Sequence, residues 1–427
     1  MAAQAQWLTS SNLPIVIITT DLIPGSDEHY DIPDEPKVPA RMKILYVSDT
    51  TRNYLSNQDD TAFLNYSGRI GIELRGSTSQ GHNKKPYGFE TRMDDDVTNR
   101  NVSLLGMPEE NDWILNPMND DPSFLRDCLS YRLYAAMGHY APRTRYCEVI
   151  VNGDYRGLYF LTEKIKIDKN RVDIVQMDST ENGIPEVSGG YIVKADKLTG
   201  GDVAAWTTPA HDYWEDVNYI YHNPKPANIT LEQGNYIGQY FASVFQTIGQ
   251  QDEDVSTGFP ALIDIPSFIN YYIIQEITKN PDGNVRKSTY LTKEKGKPLE
   301  MYHVWDFDIT LGNCNYTNFE KPEGWQMRYV KWYNQMFFDP DFKKAVVDRW
   351  NKLYPDLLAK VPAFIDRQRA LMDGAEQANF ERWPILGVQV WPNYYAFPTY
   401  EEELDFLKTF YLDRLAWLNA MINSDQF

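Results

Sequence analysis

The sequence predicts an α+β protein of two lobes, β-rich in its first part and mainly helical in its second. Three observations carry this. Period-two and β-branched runs concentrate before residue 100, an Asn-Gly hairpin signal stands at Asn152-Gly153, and helix-spaced apolar residues dominate after about Ile229. Strands followed by helices argue for segregated layers rather than an alternating βαβ sheet.

The first strand is read from Leu13-Pro-Ile-Val-Ile-Ile-Thr-Thr20, a β-branched run. Gly68-Arg-Ile-Gly-Ile-Glu-Leu-Arg75 and Tyr87-Gly-Phe-Glu-Thr-Arg92 alternate with period two. Between them lies a small-residue turn, Gly76-Ser-Thr-Ser-Gln-Gly-His-Asn83, ending in Lys84-Lys85. Asp121-Pro122-Ser123 offers cap chemistry to a helix carrying Leu125, Leu129, Leu133 and Ala136. Arg145–Val151 and Gly157–Leu161 flank Asn152-Gly153, the strongest short-range hairpin signal. Gly189-Gly-Tyr-Ile-Val193 opens the second half, followed by a polar, aromatic stretch. Helices are then expected after the Asp264-Ile-Pro-Ser cap, from Asp339-Pro-Asp, and through Leu404, Leu407, Tyr411, Leu415 and Leu418. The division is expected near residue 175, with 12–175 as the β-rich lobe and 176–427 as the mainly helical one. There is no internal repeat or low-complexity segment.

The chain carries 41 Lys plus Arg against 60 Asp plus Glu, a formal net charge of −19. A surface that acidic repels phosphate backbones, so nucleic acid is not an expected partner. A basic protein or a metal-chelated anion suits it better. Cys128, Cys147 and Cys314 have no paired or CxxC spacing, which argues against zinc and a disulfide framework. The six histidines are scattered, with no HExxH pattern. No run approaches the roughly 18 apolar residues of a membrane span. No basic and apolar leader precedes Pro14–Ile18, so no signal peptide is read at this N-terminus; either the targeting segment has been removed or the chain is cytoplasmic, and Met1-Ala2-Ala3 does not decide.

Candidate chemistry concentrates between Glu276 and Asn313. Asp282 sits in an Asn-Pro-Asp-Gly turn after a helix end, and Asp306 and Asp308 flank Phe307 after an apolar, strand-like segment. Residues two apart on a strand share a face, so these two carboxylates are expected to point together. A phosphoryl-transfer site needs one carboxylate to orient the attacking hydroxyl and another to hold magnesium on the phosphates. Taken alone, aspartates in turns are structural more often than catalytic. The second candidate is Arg75-Gly-Ser-Thr-Ser-Gln-Gly with Lys84-Lys85, where backbone N–H groups can approach phosphates and a following lysine can reach them. It is neither a Walker motif nor GxGxxG, and a plain β-turn with a solvated basic end is the competing reading. No GxSxG elbow is present, and no glycosidase pair can be picked out.

Several stretches in order resemble the CotH family, named for a spore-coat protein kinase. They are Arg75-Gly-Ser-Thr-Ser with Lys84-Lys-Pro-Tyr87, Leu104-Leu-Gly-Met-Pro with Asn111-Asp-Trp-Ile-Leu, Leu125-Arg-Asp, Val151-Asn-Gly-Asp-Tyr-Arg-Gly-Leu-Tyr-Phe-Leu-Thr-Glu-Lys164, Gly189-Gly-Tyr, and the Asp282 loop with Trp305-Asp-Phe-Asp308. The resemblance covers roughly residues 12–320; the C-terminal hundred residues match only as helices. It implies a protein-kinase-like bilobal fold, ATP with Mg²⁺ or Mn²⁺ as cofactors, and transfer to Ser or Thr of a protein, with a basic, Ser-rich acceptor expected. Carried over by position, Asp282 is the catalytic aspartate and Asp306 the metal aspartate. Lys85 and Arg75 lie on the phosphates, and Glu163 near the lobe junction. One departure stands out: a kinase loop has an asparagine about five residues after its aspartate. Here that region is Arg286-Lys287-Ser288, so Ser288 and Asp308 are the substitute metal ligands to consider, and a slow kinase or pseudokinase stays open. A secreted or cell-surface location is expected from the resemblance. The competing function is a non-catalytic adhesion or carbohydrate-binding protein on the same scaffold.

Overall fold

A computed structural model describes residues 8–208 and 216–427; the Met1-Ala2-Ala3 opening lies outside them. The first part contains β1 (Ser10–Ser11), β2 (Ile15–Thr20), β3 (Val38–Leu45), β4 (Asn53–Tyr54), β5 (Leu64–Leu74), β6 (Tyr87–Arg92) and β7 (Asp112–Asn116). Helix α1 (Arg126–Ala136) follows, then the hairpin β8 (Thr144–Val151) and β9 (Asp154–Glu163). A second group of strands comprises β10 (Tyr191–Ala195), β11 (Trp206–Thr208) and β12 (Val217–Asn223), completed after the next helices by β13 (Thr289–Lys293) and β14 (Leu299–Glu300). The helices are α2 (Leu231–Gly249), α3 (Phe259–Leu262), α4 (Ile265–Thr278), α5 (Lys331–Met336), α6 (Pro340–Leu371), α7 (Ala375–Arg382) and α8 (Tyr400–Ile422). The protein is therefore α+β, with a sheet-rich N-terminal region and helices in its C-terminal part.

Seven of the early strands close into a barrel in the order β2-β3-β5-β6-β7-β9-β8. The closure is a parallel pairing of Ile15–Ile18 with Glu148–Val151, which leaves no open edge. Alternation fills the interior: Val16 and Ile18 of β2, Ile70 and Ile72 of β5, and Tyr159 and Leu161 of β9 share one core. The intervening Leu158 and Phe160 of β9 turn outward into the helical core. The Asn152-Gly153 turn has φ of 49° and 77° at its two residues, as a type I′ hairpin requires.

The second sheet, in the order β11-β12-β10-β13-β14, was not foreseen beyond its Gly189–Val193 strand. Tyr191, Val193 and Ala195 pack into the helical core, while Ile192 faces a separate small cluster with Ile165, Val172 and Ile174. Lys194, paired with Tyr290, lies on that second face. Helix α4 begins as its sequence suggests, with Asp264 accepting from Ser267 N at 2.8 Å, and every residue from Ser267 to Thr278 is buried. It delivers the chain into the Asp282 loop. Among the described residues no helix is long and apolar enough to cross a membrane.

Candidate active site

The Asp282 loop leaves α4 through Lys279, whose left-handed backbone (φ 49°) turns the chain. Asn280 ties the loop together: its Oδ1 accepts from Asp282 N at 3.0 Å, and its Nδ2 donates to Asp306 O at 3.2 Å. Val285 (φ 62°), Ser288 (φ 48°) and Asp306 (φ 70°) are all left-handed. Such conformations cost on the order of 1–3 kcal/mol each and persist only where surrounding contacts enforce them. At Asp306 this backbone overturns the strand expectation: residues 301–308 are irregular, so period-two sharing of a face cannot be the reason that Asp306 and Asp308 interact.

They do interact. Burial, then repulsion from Asp282, raises the Asp306 carboxyl above its ordinary range, while Ser288, Arg75 and Lys197 oppose the shift. Asp308 is pushed well above that range by burial and by Asp306, Asp127, Asp120 and Asp121. Asp282 is raised by burial against the pull of Lys287, Arg286 and Lys197. Ser288 Oγ donates to Asp306 Oδ2 at 2.8 Å. The oxygen-only donor set of Asp306, Asp308 and Ser288 fits a hard divalent cation such as Mg²⁺ or Mn²⁺, and a cation would relieve the repulsion that raises these carboxyls. Among the described residues no three His, Cys, Asp or Glu side chains form a ready-made metal cluster. A cation held here would therefore complete its shell with water or phosphate oxygens, as Mg²⁺ commonly does.

Arg75 faces this group from the barrel. Its guanidinium lies 5.5 Å from the centroid of the Trp305 ring, and burial lowers its pKa against the opposing pull of Tyr290 and Asp306. Gly76, at φ 90°, turns the chain immediately after it, and a Cβ there would collide with Ser79 Oγ.

A CotH kinase protein family model matches residues 72–418, spanning Arg75, Asp282 and Asp306 alike. The chain belongs to the CotH family. The family is kinase-like; no curated protein matches the chain.

In this CotH chain the remaining expected residues are bonded to other partners. Lys85 Nζ donates to Gln80 O at 2.7 Å, within its own turn. Glu163 is fully buried, paired with Arg143 Nη1 at 2.8 Å and accepting from Tyr140 Oη at 3.1 Å. Neither makes a hydrogen bond or ion pair with Asp282, Asp306 or Asp308 among the described residues. Lys84, the other half of the basic pair, is buried. Its Nζ donates to Pro117 O and Leu158 O, and burial lowers its pKa to about 7. It lines a cavity of about 280 Å³ with Phe124 and Trp383, which includes neither Asp282 nor Asp306.

Sequence reasoning missed Asp127, the third residue of Leu125-Arg-Asp. Its carboxylate accepts from Phe307 N at 2.7 Å and so fixes the Asp306–Asp308 segment onto α1. Tyr131, one turn later, accepts from Asp306 N at 3.3 Å. The i, i+4 spacing that puts both on one helix face was legible, but the segment they meet was not. Burial, then Asp306, pushes the Asp127 carboxyl from 3.8 up to about 7. A raised folded-state pKa gives stability that is complete below the unfolded value and lost as pH rises through the folded one. Without divalent cations, thermal midpoints should therefore fall as pH rises from about 4 to about 7, between the unfolded and folded values, and Asp127→Asn should melt above wild type at pH 8 with a shallower dependence. An unchanged slope in thermal melts would clear Asp127 of this titration.

Proposed function

We propose that the chain transfers the terminal phosphoryl group of ATP, with Mg²⁺ or Mn²⁺, to Ser or Thr of a protein acceptor. On this reading the fold is a bilobal, kinase-like one, with 12–175 as the first lobe and 176–427 as the second. The barrel keeps a core of its own, which supports a first lobe, while helix α1 and the outward face of β9 pack into the helical core. The observation that carries the reading is the joining of the Asp282 loop to Asp306 through Asn280, with the Ser288 hydroxyl on the Asp306 carboxylate, in a CotH-family chain.

Each residue then has a task. Asp306 would hold the metal, with Ser288 and Asp308 as further oxygen donors. When bound, the metal neutralises charge on the phosphates. Arg75 meets the phosphates from the barrel side, its guanidinium held against Trp305. Asp282 accepts the acceptor hydroxyl's proton as the new O–P bond forms. The bond from the terminal phosphorus to the bridging oxygen breaks, and ADP departs with the electron pair. Burial keeps the Asp282 carboxyl above the ordinary range, which moves a general base toward the working pH. A basic, Ser-rich acceptor suits the net charge of −19, and an extracytoplasmic or surface location belongs to the same reading.

Asp282→Asn should retain nucleotide affinity and lose transfer by about 10²–10⁴ in rate, because asparagine keeps the size but takes no proton. Radiolabel transfer to a basic, Ser-rich peptide, run beside a binding isotherm, reads both. If the variant transfers as fast as wild type, Asp282 is a turn residue. If wild type binds ATP normally but transfers nothing with any metal, the non-catalytic scaffold reading replaces this one.

A further inference from the structure

We propose that Lys197 supplies the ammonium that holds the terminal phosphate of the nucleotide, an inference that rests on the phosphoryl-transfer reading above. Lys197 lies just past β10, on the second sheet rather than the barrel. Its Nζ donates to Thr78 Oγ1 at 3.1 Å, reaching the turn that begins after Arg75. Its neighbour Asp196 accepts from Ser288 N at 3.5 Å, and Ser288 Oγ holds Asp306. Adjacent residues thus touch the barrel turn and the hydrogen-bond partner of the metal carboxylate. The Lys197 charge accordingly favours the ionised forms of both Asp282 and Asp306.

The other lysines near this turn are committed elsewhere. Lys84 is buried on two backbone carbonyls, and Lys85 is bonded to Gln80 O. Lys197 is exposed, and its hydrogen-bond partner is a neutral hydroxyl. Exchanging that hydroxyl for a phosphate oxygen replaces an ordinary hydrogen bond with a charge-assisted one. Lysine acts on phosphate as a point charge on a flexible stem, which suits a group bridging two elements. Arg75 and Lys197 would then meet the phosphates from the barrel turn and the second sheet, opposite the carboxylates that face the metal and acceptor.

The test is calorimetry of ATP and of ADP, each with Mn²⁺, on the full chain as wild type, Lys197→Ala and Lys197→Arg. A contact to the terminal phosphate should cost Lys197→Ala about tenfold or more in ATP affinity and about twofold or less for ADP, with Lys197→Arg recovering most of the loss. Because the side chain is exposed, the melting temperature should match wild type, which excludes misfolding as the cause. Equal weakening of ATP and ADP, or no weakening of either, overturns the role of Lys197 while leaving the phosphoryl-transfer reading in place. An ATP-selective loss in Lys85→Ala without one in Lys197→Ala assigns the contact to Lys85 instead. Wild type that binds neither nucleotide overturns both the reading and the inference built on it.

Discussion

Alanine at position 306 should abolish metal-dependent nucleotide binding, weakening ATP·Mn²⁺ affinity by about 100-fold or more, which is about 2.7 kcal/mol. The Asp306 carboxylate has no neutral replacement: it sits on the Ser288 hydroxyl, and burial and Asp282 already raise its pKa. A divalent cation placed there would be its natural counter-charge. The same features predict the control. Ionised Asp306 opposes folding of the metal-free chain, so Asp306→Ala should melt at or above wild type at pH 8 without metal. Calorimetry gives the affinity and thermal melting gives the stability. Equal ATP·Mn²⁺ affinities in the two proteins would remove Asp306 from the site, whatever the melting curves show.

The second large effect is on folding. Glu276, near the end of α4, and Arg414 of α8 are 1% and 0% exposed. They pair at 2.7 Å, and Arg414 Nε donates to Glu276 O at 2.7 Å. Glu276 also accepts from the backbone N–H groups of Gln326, Met327 and Arg328 at 3.0, 2.7 and 3.0 Å. Arg414 Nη1 donates to Pro322 O and Gly324 O at 2.7 and 2.6 Å. This network fastens the 322–328 segment and α8 to the helix that delivers the Asp282 loop. Arg414→Ala would leave Glu276 charged, buried and short of its partner. Breaking such a pair costs about 3–5 kcal/mol, more than the pair itself contributes relative to an apolar substitute. Urea unfolding should show that loss in Arg414→Ala and a smaller one in Arg414→Met, which refills the volume. A loss under about 1 kcal/mol for the alanine variant would mean that water reaches Glu276 and the pair is effectively a surface one.

Local chemistry was legible in the sequence wherever one segment determined its own structure. The Asn152-Gly153 hairpin needs left-handed residues at its turn, and the α4 cap needs an acceptor at Asp264; both are written within a few positions. Barrel closure is different. It pairs β2 in parallel with β8, and each strand's alternation says which face is buried without naming its neighbour. The site divides in the same way. Asp282 and Asp306 could be picked out because turn chemistry and a compact acidic motif flag them. The irregular backbone at Asp306 is imposed by Asp127, Tyr131 and Asn280 from elsewhere in the fold, so a strand was expected in its place. Asp196 and Lys197 follow an ordinary apolar strand, and nothing local marks their approach to Ser288 and Thr78. Lys84 and Lys85 show the converse problem: adjacent identical residues give no hint of which is buried until the fold puts Lys84 against Tyr159 and Phe124.

The most direct measurement is a crystal soaked with Mn²⁺ and a non-hydrolysable ATP analogue, with data collected at the manganese absorption edge. The account predicts an anomalous peak roughly 2.0–2.2 Å from an Asp306 carboxylate oxygen, near the octahedral Mg²⁺–oxygen distance, with nucleotide phosphates between that peak and Arg75. A saturating soak that leaves Asp306 without metal, or that seats the nucleotide away from Asp306, would contradict it.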